Sequence, residues 1–139
     1  MQSYDIARCF LQGIGLIMKP QSNNEIMNLM KLKLLQPANL ERCIETIQQI
    51  RGRHPNIIPS SITDEIAGRL LGILNNNQME LERFGGTGLF LNGCLCEHSC
   101  LPNSSYSTNY DPDTGVHTFT LVAIRDIHPG QPFLSISCV

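Results

Sequence analysis

The spacing of the apolar residues changes near residue 85, and this change limits the folds that the chain can adopt. Before it, apolar side chains recur every three or four residues, the period of an amphipathic helix. After it, short apolar runs alternate with glycine and turn sequences, a pattern typical of strands. We therefore predict an α+β fold in one compact unit, with a helical N-terminal half at 1–84 packed on small antiparallel β-sheets at 85–139.

Local signals place the helices. Three apolar stripes predict them: Ile6, Cys9, Phe10, Ile14 and Ile17; Leu40, Cys43, Ile44, Ile47 and Ile50; Ile66, Leu70, Ile73 and Leu74. Thr63 is expected to cap the last of these helices, which should end near Asn75 to Asn77. Residues 23–35 are a further helical candidate, and two prolines make residues 54–61 a connector.

A hairpin is predicted in the second half. Residues 105–110 and 117–124 have the composition of strands, and the turn sequence DPDTG lies between them. Apolar residues on both sides of the second strand predict that both of its faces are covered at its end. A turn at HPGQP, residues 128–132, should lead to a last strand, FLSIS.

Charge and hydropathy limit the partners and the location of the protein. The 139 residues carry a formal charge of -2, and the ten basic residues form no cluster, so we expect no direct nucleic-acid partner and no membrane partner. The apolar runs are too short to span a bilayer, and the N-terminus lacks the order of a signal peptide. We expect an intracellular protein, in the nucleus or the cytoplasm, whose six cysteines are thiols or metal ligands.

Four potential metal ligands lie within seven residues, at Cys94, Cys96, His98 and Cys100. Alternation along a strand would put Cys94 and Cys96 on one face. A structural zinc site usually closes with a second ligand pair from elsewhere in the chain, and only Cys138 is available in this half. We favour a tightly specified loop, in which Ser99, Asn103 and Ser104 satisfy backbone groups, over a small structural zinc protein. Cys9 and Cys43 fit small buried side chains.

The same segment carries a family resemblance. Residues 97–103, EHSCLPN, resemble the NHSCxPN signature of SET domains, and residues 123–136, AIRDIHPGQPFLSI, resemble the A-x-R-D-I-x-x-G-E-E-L-x-I segment that follows it. The sequence NNQMEL from Asn76 and the sequence GTGLFL from Gly86 stand where SET and MYND domain-containing lysine methyltransferases have an N-S-F-like segment and a G-x-G-L-[YF] strand. The resemblance covers residues 76–136 and extends only in outline to the helical half.

The resemblance implies a protein-lysine N-methyltransferase fold, in which strands and a knot-like C-terminal crossing build a pocket for S-adenosylmethionine. The substrate would be a lysine of a histone or of another protein. In-line methyl transfer depends mainly on positioning the two reactants. Residues on the cofactor side would be Asn77, Cys94, Cys96, Glu97 and His98.

This chain departs from the family pattern at two functional positions. Cys138 stands where active members have a catalytic tyrosine, and a thiol is a shorter and weaker donor than a phenol. Glu97 replaces the first asparagine of the signature. The resemblance also implies that part of the pocket comes from a segment before Tyr4, and that Cys100 binds zinc only with a cysteine-rich tail. We therefore expect a SET-domain protein, truncated or with impaired catalysis, or alternatively a catalytically inactive SET-like protein-interaction module.

Overall fold

The computed structural model describes residues 2–19, 25–32, 35–81 and 87–135, and it confirms the α+β class. The chain divides into two compact units, Met1–Asn77 and Gln78–Val139. The first unit contains the helices α1 (Gln2–Ile17), α2 (Glu25–Met30), α3 (Leu40–Arg53) and α4 (Asp64–Asn77). None of the helices in these ranges is long and apolar enough to cross a membrane.

Helix α4 is the centre of the first unit, because it contacts each of the other three helices. Two glycines on α4 allow this close packing. A Cβ on Gly68 would lie 3.2 Å from the Ile44 nitrogen, and a Cβ on Gly72 would lie 2.5 Å from Cβ of Pro37. The apolar stripes predicted from the sequence supply most of the core, including the fully buried Ile47, Leu70, Ile73 and Leu74, and the connector adds the fully buried Ile58.

The predicted start of α4 is confirmed. Oγ1 of Thr63 accepts a hydrogen bond from the backbone N–H of Ile66 at 3.2 Å, and Asp64 and Glu65 occupy the first turn. The connector at 54–61 is held by Arg51. The Nε of Arg51 donates to Oδ1 of Asp64 at 2.7 Å. The other two guanidinium nitrogens donate to the backbone carbonyl of Ile58, within the connector, and to that of Ile62, just after it.

Helix α2 is shorter than the predicted stretch of 23–35. It ends at Met30, and the side-chain amide of Gln36 donates to the carbonyls of Met30 and Leu32 at 2.8 and 3.1 Å. A helix leaves its last carbonyls without partners, and here a side chain six residues beyond the end supplies one. The apolar pattern continues past the end because Leu35 is buried outside the helix.

The described part of the second unit contains six strands: β1 (Met79–Glu80), β2 (Thr87–Gly88), β3 (Glu97–His98), β4 (Ser104–Asp111), β5 (Val116–Ala123) and β6 (Leu134–Ser135). Strands β1 and β2 are antiparallel, as are β4 and β5, whereas β3 and β6 are parallel. The two strands of the parallel pair lie on either side of the β4–β5 hairpin in sequence. This arrangement brings segments more than thirty residues apart into contact.

The hairpin is confirmed, with a register that runs from Ser104 opposite Ala123 to Asp111 opposite Val116. In its turn, the carboxylate of Asp111 accepts hydrogen bonds from the N–H of Asp113 and the hydroxyl of Thr114, both at 2.9 Å. These bonds lower the pKa of Asp111. Gly115 then takes the positive φ of 69° that closes the turn.

Among the residues that the structure describes, only one face of β5 is covered, so the expectation of two covered faces is wrong. Phe119 on the covered face lies 5.5 Å from the ring of Phe90 and 5.7 Å from that of Tyr106, between centroids. On the other face, Val122 and Ile124 are 55% and 57% exposed. The apolar residues of both faces looked alike in sequence, but the residues that the structure describes pack against one face only.

The turn at HPGQP is also confirmed. The backbone N–H of Gln131 donates to the carbonyl of His128 at 3.0 Å, and Gly130 has a φ of 87°. The last strand begins at Leu134, and its described part ends at Ser135. The rest of the FLSIS prediction, residues 136–137, lies outside the described residues.

Candidate functional site

The segment before β3 forms a tight turn, and the prediction that Cys94 and Cys96 share one face of a strand is wrong. Gly93–Leu95 is a 3-10 helix, in which the N–H of Cys94 donates to the carbonyl of Phe90 at 3.0 Å. The N–H of Cys96 donates to the Gly93 carbonyl at 3.2 Å. A Cβ on Gly93 would lie 3.2 Å from Cβ of Phe90 and 3.4 Å from a ring carbon of Phe119, so the turn lies directly against these two side chains.

The three thiols of this segment have different surroundings. Cys94 is buried, and desolvation, together with the neighbouring Cys96, raises its pKa to about 11. Desolvation also raises the pKa of the half-buried Cys96, while Cys100 is exposed. A cysteine binds a metal ion as a thiolate, and burial disfavours this charged form. In the part of the chain that the structure describes, no three His, Cys, Asp or Glu residues group to hold a metal ion.

Strand β3 is attached to the C-terminal segment through its backbone. The N–H of Glu97 donates to the carbonyl of Phe133, and the N–H of Ser99 donates to the carbonyl of Ser135, both at 3.0 Å. Glu97 lies opposite Leu134 in the parallel pair, and His98 lies opposite Ser135. The backbone of the Glu97–His98 pair is therefore fixed by residues from the far end of the chain, and the side chain of Glu97 is exposed.

Asn103 joins the two segments with its side chain and its backbone. Its side-chain Nδ2 donates to the carbonyl of Pro132, and its Oδ1 accepts from the N–H of Leu134, both at 2.9 Å. The backbone N–H of Asn103 donates to the Leu134 carbonyl at 3.1 Å. The same carbonyl also accepts a hydrogen bond from Oγ of Ser104 at 2.8 Å. Asn103 is only 6% exposed, so these bonds lie where water competes little. The prediction that Asn103 and Ser104 satisfy backbone groups is confirmed.

Arg125 holds the same loop from the other side. Its guanidinium Nη2 donates to the carbonyls of Leu101 and Pro102 at 2.6 and 2.5 Å, and the N–H of Ile124 donates to the Asn103 carbonyl at 2.9 Å. Sequence reasoning did not single out Arg125 as a site residue. A lone arginine in a motif gives no local signal of which carbonyls it will bind. Ser99 adds a turn within the loop, where its Oγ accepts from the N–H of Leu101 at 3.1 Å.

The expected cofactor-side residues are divided between the two units. Cys94, Cys96, Glu97 and His98 are consecutive parts of the second unit, around the 3-10 turn and β3. Asn77 is the last residue of α4 in the first unit, and its side-chain amide donates to the carbonyl of Ile73 at 2.9 Å. Cys138, the expected catalytic position, lies outside the described residues.

Comparison with protein-family models, with curated proteins and with solved structures gave no match to this chain. The resemblance to SET domains therefore rests on the motif residues themselves.

Proposed function

We propose that this chain is a SET-domain protein related to S-adenosylmethionine-dependent protein-lysine N-methyltransferases, with impaired catalysis. One observation carries the proposal: the two segments that resemble the family motifs bind each other. Asn103 in the first segment bonds to Pro132 and Leu134 in the second, and Arg125 in the second bonds to Leu101 and Pro102 in the first.

This mutual binding supports the proposal because each motif supplies a side chain that binds the backbone of the other motif. A chance similarity of two short sequences gives no reason for their side chains and carbonyls to pair. The parallel β3–β6 pair, with a hairpin between its strands in sequence, also agrees with the crossed C-terminal arrangement that the resemblance implies. The interacting residues of the two motifs hold the loop in place, which is a positioning role.

The proposed cofactor is S-adenosylmethionine, with Asn77, Cys94, Cys96, Glu97 and His98 as its expected neighbours. The described residues do not fit it fully. Cys94 is buried, and the amide of Asn77 already donates to a helix carbonyl. Glu97 is exposed and can accept hydrogen bonds. We therefore derive no methyl-transfer step from this arrangement, and the proposed intracellular lysine substrate, in a histone or another protein, depends on the resemblance alone.

A second candidate is a catalytically inactive SET-like module that binds proteins through its helical half. The sequence at the expected tyrosine position, Cys138, favours it. On the surface of the first unit, Leu11, Leu32 and Ile57 are large apolar side chains that remain exposed. Exposed apolar side chains contribute to protein interfaces when they lie together, although scattered ones are common on any surface.

Calorimetric titration with S-adenosylmethionine separates the two candidates. The proteins to compare are the natural chain, the double variant Glu97→Asn, Cys138→Tyr, and a control Glu41→Asn, which makes the same charge change at an exposed position of α3. Binding by the natural chain would support a cofactor site that is retained. Binding only by the double variant would support a cofactor site that the two substitutions repair. If no protein binds, with the fold verified by circular dichroism, the inactive module is the better description.

A further inference from the structure

The outer edge of β5 has unusual properties for an exposed strand. One side of β5 pairs with β4, and among the residues that the structure describes no strand pairs with the other side. The sequence of β5, VHTFTLVA, contains no acidic residue, lysine, arginine or proline. Proteins usually protect a long edge with such residues or with a bulge, and the register of β5 with β4 is continuous. An edge of this kind favours pairing with another strand.

The backbone groups that β5 presents outward follow from the hairpin register. The N–H of Ile124 donates to the carbonyl of Asn103, the residue opposite it. Hydrogen-bonded pairs alternate with non-bonded pairs in an antiparallel ladder, so every second residue before Ile124 also points its backbone groups toward β4. The residues between them point outward: His117, Phe119, Leu121 and Ala123. Each of these four has one donor and one acceptor on the open edge.

We propose that a second copy of this chain pairs with this edge, antiparallel, about a twofold axis at Thr120. In this register His117 lies opposite Ala123, and Phe119 lies opposite Leu121. Every outward N–H and C=O of both strands then has a partner, and the two hairpins form one four-stranded sheet. Centring the axis on Phe119 instead would place Ala123 opposite Gly115, beyond the end of the strand. The proposal does not depend on the proposed function.

The side chains of the exposed face explain why a second copy suits this edge. About the same axis, Val116 lies opposite Ile124, and Thr118 lies opposite Val122. Val116, Val122 and Ile124 are 50%, 55% and 57% exposed, so pairing covers apolar surface on both copies. Because β5 has no acidic residue, lysine or arginine, the twofold axis brings no like charges of the strand together, as it would for a charged edge.

Strand β4 does not offer an equivalent edge. Ser104 at its start donates to the carbonyl of Leu134, and β6 contacts this strand. Thr108, in the middle of β4, is buried. The open pairing surface of the hairpin is therefore on β5.

Sedimentation velocity of the full chain over a range of concentrations tests the proposal. The natural chain should form a dimer, with twice the 15.5 kDa mass of one chain. Thr120→Lys and Thr120→Glu each place like charges opposite each other at the axis and should raise the dissociation constant about fivefold or more. An equimolar mixture of the two variants should restore dimers, because the charges at the axis are then opposite.

Two further variants separate pairing from folding. Ala123→Pro removes an outward N–H without removing a bond to β4, and it should also weaken the dimer. Asn109→Lys adds the same charge as Thr120→Lys to the exposed face, but on β4, and should leave the dissociation constant unchanged. A natural chain that stays monomeric at all concentrations overturns the proposal. So does a dimer, or a larger assembly, that neither Thr120→Lys nor Ala123→Pro weakens.

Discussion

Replacing Asn103 tests how the two motif segments are held together. Asn103→Ala removes the donor to the Pro132 carbonyl and the acceptor for the Leu134 N–H. Each hydrogen bond contributes about 1 kcal/mol net, and leaving its part-buried partner unsatisfied adds to the loss. The expected cost is about 2–4 kcal/mol, a large part of the roughly 5–15 kcal/mol that stabilises a domain.

Urea denaturation followed by tyrosine fluorescence measures this cost in the second unit. The chain has no tryptophan, and two of its three tyrosines, Tyr106 and Tyr110, lie in β4. Hydrogen exchange adds a local measurement, because the Leu134 amide is the group that Asn103 protects. The matched control is Asn109→Ala, at an exposed position of β4, which should cost less than about 0.5 kcal/mol.

Equal losses for the Asn103 and Asn109 variants, with unchanged exchange at Leu134, would refute this account of Asn103. The two segments would then be held by backbone pairing alone. A loss for Asn103→Ala together with faster exchange at Leu134 is the expected result.

Two further results are expected from the packing and from the buried thiol. A Cβ added at Gly72 would overlap Pro37, so Gly72→Ala should cost about 1–3 kcal/mol, whereas Gly15→Ala, with no atom within 4 Å, should stabilise α1 by about 0.5–1 kcal/mol. Thermal unfolding measures both changes, and equal melting temperatures for the two variants would contradict the packing argument. The pKa of Cys94 is raised from 9.0 to about 11, so the folded chain holds this proton more tightly and its stability should fall between pH 9 and 11. Urea midpoints across that range should fall less for Cys94→Ala, and iodoacetamide should modify the exposed Cys100 before Cys94, as peptide mass mapping would report.

Local sequence signals located most of the regular elements. The apolar stripes identified α1, α3 and α4 because a helix repeats its buried face over many residues. Thr63 marked the start of α4, and DPDTG marked the hairpin turn, because caps and turns depend on residues that are adjacent in sequence. The end of α2 was less predictable, since it depends on the side chain of Gln36, six residues after Met30.

The arrangement around the motif was much less predictable. Alternation suggested a strand at Cys94, but the side chains of Phe90 and Phe119 lie against Gly93 and the chain turns there. The apolar residues of β5 suggested two covered faces, yet Phe119 is packed and Val122 is exposed. In both places the sequence pattern was compatible with more than one structure, and the neighbours in space selected one.

The sequence by itself determined the helical and strand-rich halves, the hairpin and its turn, and the local role of Asn103 as a residue that satisfies backbone groups. Only the tertiary structure decided which groups it satisfies, the parallel pairing of β3 with β6, and the bonds from Arg125 to the loop. The physical reason is the range of the interactions. Periodicity and turn chemistry act between near neighbours in the chain, whereas these contacts join residues more than twenty positions apart, and their partners become known only when the chain has folded.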